Sequence, residues 1–288
     1  MAIAVGQYGG IAAAFALGGT LLPVAGGGGE GWRGAMQMLT LVLALSLLPC
    51  LALREPVRSG VTQITPSIAS SFRELWLYAP RIMPLLIGLA LIEIALGAIL
   101  TWTAPILSRH ASLSPAAIGN LIGGALAVGG CAGPLLGGFL ADFCQRTVGP
   151  SRTGVVLAIL SLLTAPTGLF VYALNGSVMA FVFGCFAVLS GAVVVMATTL
   201  FTIVVPNQLR ALCMSIAAGV CVMFGTGVAP VAVSMLASAL GGEGLLRPTL
   251  VTVCGVAGIL ASLNYLLFAR SVAPDSLRKG APKHQPAM

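Results

Sequence analysis

Along this chain, apolar runs of about twenty residues alternate with short polar gaps, and nearly every charged side chain falls in a gap. An apolar run of roughly 18 residues or more is long enough to cross the hydrocarbon core of a bilayer as a helix. Eight runs qualify: Ile3–Val24, Gly34–Leu53, Ile82–Ile106, Ala116–Ala141, Thr153–Ala173, Val178–Val205, Ala211–Leu240 and Thr249–Ala269. The expected fold is therefore all-α, a polytopic membrane bundle of eight transmembrane helices. One charge breaks the rule. Glu93 lies inside the run bounded by Arg81 and Arg109, near the bilayer midplane, where ionisable groups are rare and serve function.

Composition agrees with that pattern. The 288 residues are 58% hydrophobic and only 7% charged, whereas a soluble domain carries about a quarter charged residues to cover its surface. The net charge of +7 does not point to nucleic acid, because the bases are sorted by loop. Arg54, Arg58, Arg73, Arg81, Arg146, Arg152, Arg210, Arg270, Arg278, Lys279 and Lys283 fall on one side of the eight-span topology, and Arg33, Arg109 and Arg247 on the other. The positive-inside rule then places both termini in the cytoplasm and the chain in the cell (inner) membrane. No basic segment precedes the first run, so it reads as a retained helix and not as a cleavable signal. Cys50, Cys131, Cys144, Cys185, Cys213, Cys221 and Cys254 lie in or beside apolar helices without paired spacing, and read as small buried thiols.

The longest internal gap divides the chain. Residues 1–53 form a two-helix unit, 54–80 a cytoplasmic linker opening with Arg54-Glu55-Pro56, 81–270 a six-helix bundle, and 271–288 a cytoplasmic tail. Within the linker Ile68, Phe72, Leu75, Trp76 and Ala79 recur at helical spacing beside Arg73 and Glu74, which predicts a short amphipathic helix on the membrane surface. The last six helices read as two groups of three. The stretch Ala132–Asp142 aligns with Val228–Ser238, and three helices per unit would invert the second copy, an arrangement found in transporters. Gly119 and Gly123, then Gly129, Gly133 and Gly137, set small residues four apart for close packing. Pro134 and Pro230 remove helix hydrogen bonds and predict bends.

Several segments carry a family resemblance. Gly137-Gly-Phe-Leu-Ala-Asp142-Phe-Cys-Gln-Arg146 resembles the loop motif of the major facilitator superfamily, departing at Phe143, where a base is usual. Gly31-Trp32-Arg33-Gly34, Glu55-Pro56-Val57-Arg58, Trp102-Thr-Ala-Pro105-Ile-Leu-Ser-Arg109, Val205-Pro206-Asn-Gln-Leu-Arg210 and Gly225-Thr-Gly227-Val-Ala-Pro230 resemble the spinster-like branch. The resemblance implies a partial major facilitator fold, corresponding to the last eight helices of a twelve-helix transporter and lacking the first four. It also implies alternating access around a central site, with a small organic or amphipathic, lipid-like solute as cargo and protons as coupling ion. A truncated membrane protein that does not transport is the alternative expectation.

An ionised carboxylate at mid-bilayer needs a proton, a cation or an aqueous cavity, so Glu93 is read as a proton-coupling group or a ligand for a cationic or hydroxylated part of the solute, or else as a neutral, hydrogen-bonded acid in the bundle interior. Thr101 and Trp102, two to three turns along the same helix, are candidates for the cavity wall, and Trp102 reads equally as an interfacial belt residue. Asn120 is a further cavity candidate. Asp142 is placed to pair with Arg146, Arg152 or Arg210 on one surface, and the family motif implies a gating role for Asp142 and Arg146; exposed loop charges are the plain reading. Enzyme classes find little support. His110 and His284 lie outside the runs, and no GxSxG, HExxH or phosphate-loop sequence occurs, so neither a metal site nor a cofactor is expected. The glycine run 26–29 reads as a flexible turn.

Overall fold

The structure, a computed structural model, describes residues 2–24, 31–48, 68–110, 114–173 and 175–272. The glycine run 26–29, Cys50, the linker from 54 to 67 with its Glu55-Pro56 stop, and the tail from 273, including His284, lie outside these residues. Everything described is helical or turn. In chain order the helices are α1 (Ala2–Val24), α2 (Gly31–Ser46), α3 (Ile68–Trp76), α4 (Ala79–His110), α5 (Pro115–Thr147), α6 (Gly149–Thr164), α7 (Gly176–Val204), α8 (Asn207–Val222), α9 (Ala229–Leu240) and α10 (Leu246–Val272).

Six helices, not the expected eight, are long and apolar enough to cross a membrane among the described residues. They are α4, α5, α6 with its extension to Tyr172, α7, the α8–α9 rod, and α10. The first two expected spans are helical but are not among the six. The 16 residues of α2 reach only about 24 Å at 1.5 Å per residue, short of the roughly 30 Å hydrocarbon core. The outer surface of the spans is apolar, with Val128 and Phe181 each 72% exposed and Leu135, Phe139, Ile159 and Leu267 also open. Such a surface suits lipid and not water. Arg81 and Arg109 are exposed at the two ends of α4, about 42 Å apart along the axis, which matches a bilayer including its headgroup regions.

The spans run further than hydropathy alone predicts. Hydropathy ends the fourth expected run at Ala141, yet α5 continues to Thr147 because no helix breaker intervenes before Gly149-Pro150. Asp142 and Arg146 therefore stand on a helix end and not in a loop. Gly149 turns the chain into α6 with φ +78°, a conformation that costs an L residue about 1–2 kcal/mol. At its far end α6 tightens into a 3₁₀ segment, Ala165–Tyr172, at Pro166. The tight segment lets α10 approach closely, and a β-carbon on Gly258 would lie 3.0 Å from the Ala165 backbone.

Small residues on α5 serve two faces. Gly119, Gly123 and Gly130 face α1, where they meet the backbone of Phe15, Ala12 and Gly19 and the Tyr8 ring; Gly129, Gly133 and Gly137 face α7 at Ala187, Val188 and Ala192. Without β-carbons the backbones close to van der Waals contact, which is what holds helices together where lipid tails supply no hydrophobic drive. Pro134 sits inside the unbroken α5. By contrast, Pro230 follows a π-helical turn, Met223–Val228, that joins α8 to α9. Proline cannot donate to the carbonyl one turn back and its ring crowds it, and the wider turn relieves the clash: the Ala229 amide donates to Phe224, five residues back.

Two apolar clusters divide the interior. One joins α1, α4, α5, α7, α9 and α10 around Ile99, Phe170, Phe183 and Phe186, where Phe170 and Phe183 meet edge to face at 5.3 Å. The other joins α3, α4, α6, α7, α8 and α10 around Leu89, Met196, Phe201, Tyr265 and Phe268. Glu93 lies on α4 between them.

Candidate functional site

Twelve residues separate Arg81 from Glu93, about 18 Å of helix, which is a little under half the way from Arg81 to Arg109 along α4. Glu93 is half-buried and faces a cavity of about 430 Å³. Four elements build the walls: Gln7, Tyr8 and Ile11 from α1; Glu93, Leu96, Gly97, Leu100 and Thr101 from α4; Val194 and Thr198 from α7; and α8 with the π turn. The α8 side contributes Met214, Ala218 and Cys221, and the turn contributes Gly225 and Thr226.

The Cys221 thiol on α8 is a polar neighbour of the carboxyl on the cavity wall. Opposite it Gly225 is buried, and a β-carbon there would stand 3.2 Å from Glu93 Oε2 and 3.3 Å from its carbonyl oxygen. One turn further along α4, a β-carbon on Gly97 would stand 2.6 Å from the Gly225 carbonyl carbon and overlap its oxygen. Two glycines thus let α4 and the π turn touch, and this contact brings a backbone up to the acid. Tyr265 is completely buried on α10, and its hydroxyl has no hydrogen-bond partner among the described residues.

Of the residues singled out from sequence, Glu93 and Thr101 line the cavity. Trp102 is not among the residues lining this cavity. It is half-buried, and its Nε1 donates to the Pro230 carbonyl at 3.2 Å, tying α4 to the start of α9. Helix geometry explains this, since one residue step turns a side chain by about 100°, away from the face shared by Glu93 and Thr101. Asn120 is exposed on α5 and lies outside the cavity. Asp142, Arg146, Arg152 and Arg210 are all exposed. No ion pair joins them among the described residues. Arg210 Nε instead donates to the Val205 carbonyl at 3.3 Å, closing the end of α7.

Tyr8, Cys221, Gly225 and Thr226 were not predicted as site residues. Cys221 reads from sequence as one more buried thiol, and Tyr8 as an ordinary residue of an apolar run. Only packing of α1 against α5 and of α8 against α4 brings them around the cavity that Glu93 faces. The lone available signal was the Gly225-Thr-Gly227 segment ahead of Pro230. Among the described residues no group of three or more His, Cys, Asp or Glu is placed to hold a metal ion.

A multi-pass helical membrane protein with a mid-membrane cavity is the class that this geometry defines. Its helical fold is one that solved Spinster homologues share. The chain is similar to the crystal structure of a bacterial homologue of the human lysosomal transporter Spinster, inward-facing and unoccupied, at TM-score 0.68 and 20% identity. That match covers 91% of this chain and 68% of the other. It is also similar to an inward-facing, occupied structure of a bacterial Spinster homologue at TM-score 0.56 and 18% identity, covering 91% of this chain and 65% of that one. The chain thus spans about two thirds of their length. No protein-family model and no curated protein matches the sequence.

Proposed function

We propose that this chain acts as a secondary transporter of the major facilitator type, carrying a small organic or amphipathic solute by alternating access, with protons as the coupling ion. The observation that carries the proposal is a single carboxyl at mid-depth, Glu93, facing a 430 Å³ cavity within a fold shared with a solved transporter. A carboxyl in that position trades a proton for a charge as the cavity opens to water and closes, which is the physical requirement for coupling. The Gly97–Gly225 contact and the π turn supply a place where α8 can tilt against α4. In this reading both termini face the cytoplasm, and Asp142, Arg146, Arg152 and Arg210 lie on that side, where they can latch one state.

The test is flux in proteoliposomes holding the purified chain, with an imposed proton gradient and a library of small organic solutes. At least one solute is expected to accumulate against its gradient, with Glu93→Gln abolishing gradient-driven accumulation while leaving downhill exchange. Accumulation that is equal in Glu93→Gln removes this acid from the coupling.

A further inference from the structure

We infer that the Glu93 cavity takes a lipophilic organic cation, a molecule with an ammonium head and an apolar body. The inference rests on the reading above that this cavity is the solute site. Three observations converge on it.

The first is the charge inventory, taken element by element. α4 presents Glu93 and Thr101, α1 presents Gln7 and Tyr8, α7 presents Thr198, α8 presents Cys221 and the π turn presents Thr226. The buried phenol of Tyr265 lies behind them on α10. Among the described residues lining the cavity there is no Lys, Arg or His. Glu93 is therefore the one Asp, Glu, Lys, Arg or His among the lining residues, and it is acidic. An anionic solute would enter a low-dielectric space beside an acid with no positive partner among the lining residues, and desolvating an unpaired charge is costly. A cation supplies the partner that the protein withholds.

The second is the direction of the hydrogen bonds. Thr198 Oγ1 donates to the Val195 carbonyl at 2.9 Å and Thr226 Oγ1 donates to the Val222 carbonyl at 2.7 Å. Each hydroxyl has one proton, and each has spent it on its own helix. Both present only lone pairs to the cavity. With the carboxyl, they set acceptors on α4, α7 and the π turn, beside the donors of Gln7 and Tyr8 on α1, and those acceptors fit an N–H-bearing or quaternary head better than a phosphate or a carboxylate.

The third is the apolar surface beside the acid. Ile11, Leu96, Leu100, Val194, Met214 and Val222 line the cavity, and its volume is in the range of pockets that hold drug-sized ligands. A small, strongly hydrated cation would gain nothing from those side chains. A hydrophobic body joined to the ammonium would bury against them.

The experiment uses the purified full chain in detergent and three probes that share one phenylpropyl body, with a trimethylammonium head, its neutral tert-butyl isostere, or a sulfonate. Calorimetric titration reads each affinity. The ammonium probe is expected to bind about tenfold or more tightly than the isostere, in line with the coupling energies of close desolvated charge pairs, and the sulfonate is expected not to bind. Glu93→Gln should bring the ammonium probe down to the isostere, and Glu93→Asp should keep the preference, which separates loss of charge from loss of fold. A second variant, Ala218→Trp, places bulk in the cavity from an exposed lining position and should block every probe. Equal affinity for the three heads, with binding still blocked by Ala218→Trp, overturns the cation class and leaves the solute site standing. A preference that survives Glu93→Gln also overturns it. Absence of binding by any probe, or binding indifferent to Ala218→Trp, overturns the site itself.

Discussion

The contact between Gly97 and Gly225 can be tested directly. Alanine at 97 would put its β-carbon 2.6 Å from the Gly225 carbonyl carbon and onto the carbonyl oxygen, whereas carbon atoms rest at about 3.5–4.0 Å. The neighbour is backbone, so no side chain can rotate away, and α4 and the π turn must separate by about 1 Å. Forcing extra volume into a packed site costs about 1–3 kcal/mol. Helix propensity returns up to about 1 kcal/mol for glycine to alanine, so the net effect remains destabilising. At roughly 2–4 °C per kcal/mol for a chain of this size, Gly97→Ala should unfold a few degrees below wild type. Gly124→Ala is the matched control: it makes the same exchange on α5 where nothing lies within 4 Å of the added carbon, and should be neutral or slightly stabilising. Thermal unfolding of both variants in one detergent is the assay. Equal midpoints for the two would refute the close contact that brings Gly225 against Glu93.

Two further outcomes follow from named contacts. Trp102→Phe removes the donor to the Pro230 carbonyl while keeping most of the apolar bulk, and should lower stability by about 1 kcal/mol without altering affinity for cavity ligands; a large loss of affinity would return Trp102 to the cavity wall. Trp76 is 75% exposed on α3, beside exposed Phe72 and Leu77, while Leu75 on the same helix is buried in the cluster that includes α8. Its emission, taken as wild type minus Trp76→Phe in liposomes, should be quenched by lipids brominated near the headgroup and shielded from acrylamide; the reverse pattern would place α3 in water.

The membrane setting and the helix count from Arg81 onward were legible in the letters, because hydrocarbon length fixes the length of an apolar run. So was the exceptional position of Glu93, since burying a charge is costly wherever the helix packs. Helix ends were less legible. α5 outruns its apolar stretch to Thr147 because a helix stops where its backbone must stop, at Gly149-Pro150, and not where hydropathy falls. The π turn just before Pro230, in contact with Gly97, was not read from the sequence at all.

What sequence by itself determined is therefore one-dimensional: solvent, span positions, and the depth of each polar group along its own helix. Tertiary structure alone decided which side chains share a cavity. Tyr8, Glu93, Thr198 and Cys221 come from four helices spread over more than two hundred residues of sequence, and their meeting depends on which face each helix presents. That rotation is set by close packing of small residues, an interaction of short range that leaves almost no trace in hydropathy, and it turned Trp102 toward Pro230 while leaving Thr101 in the cavity.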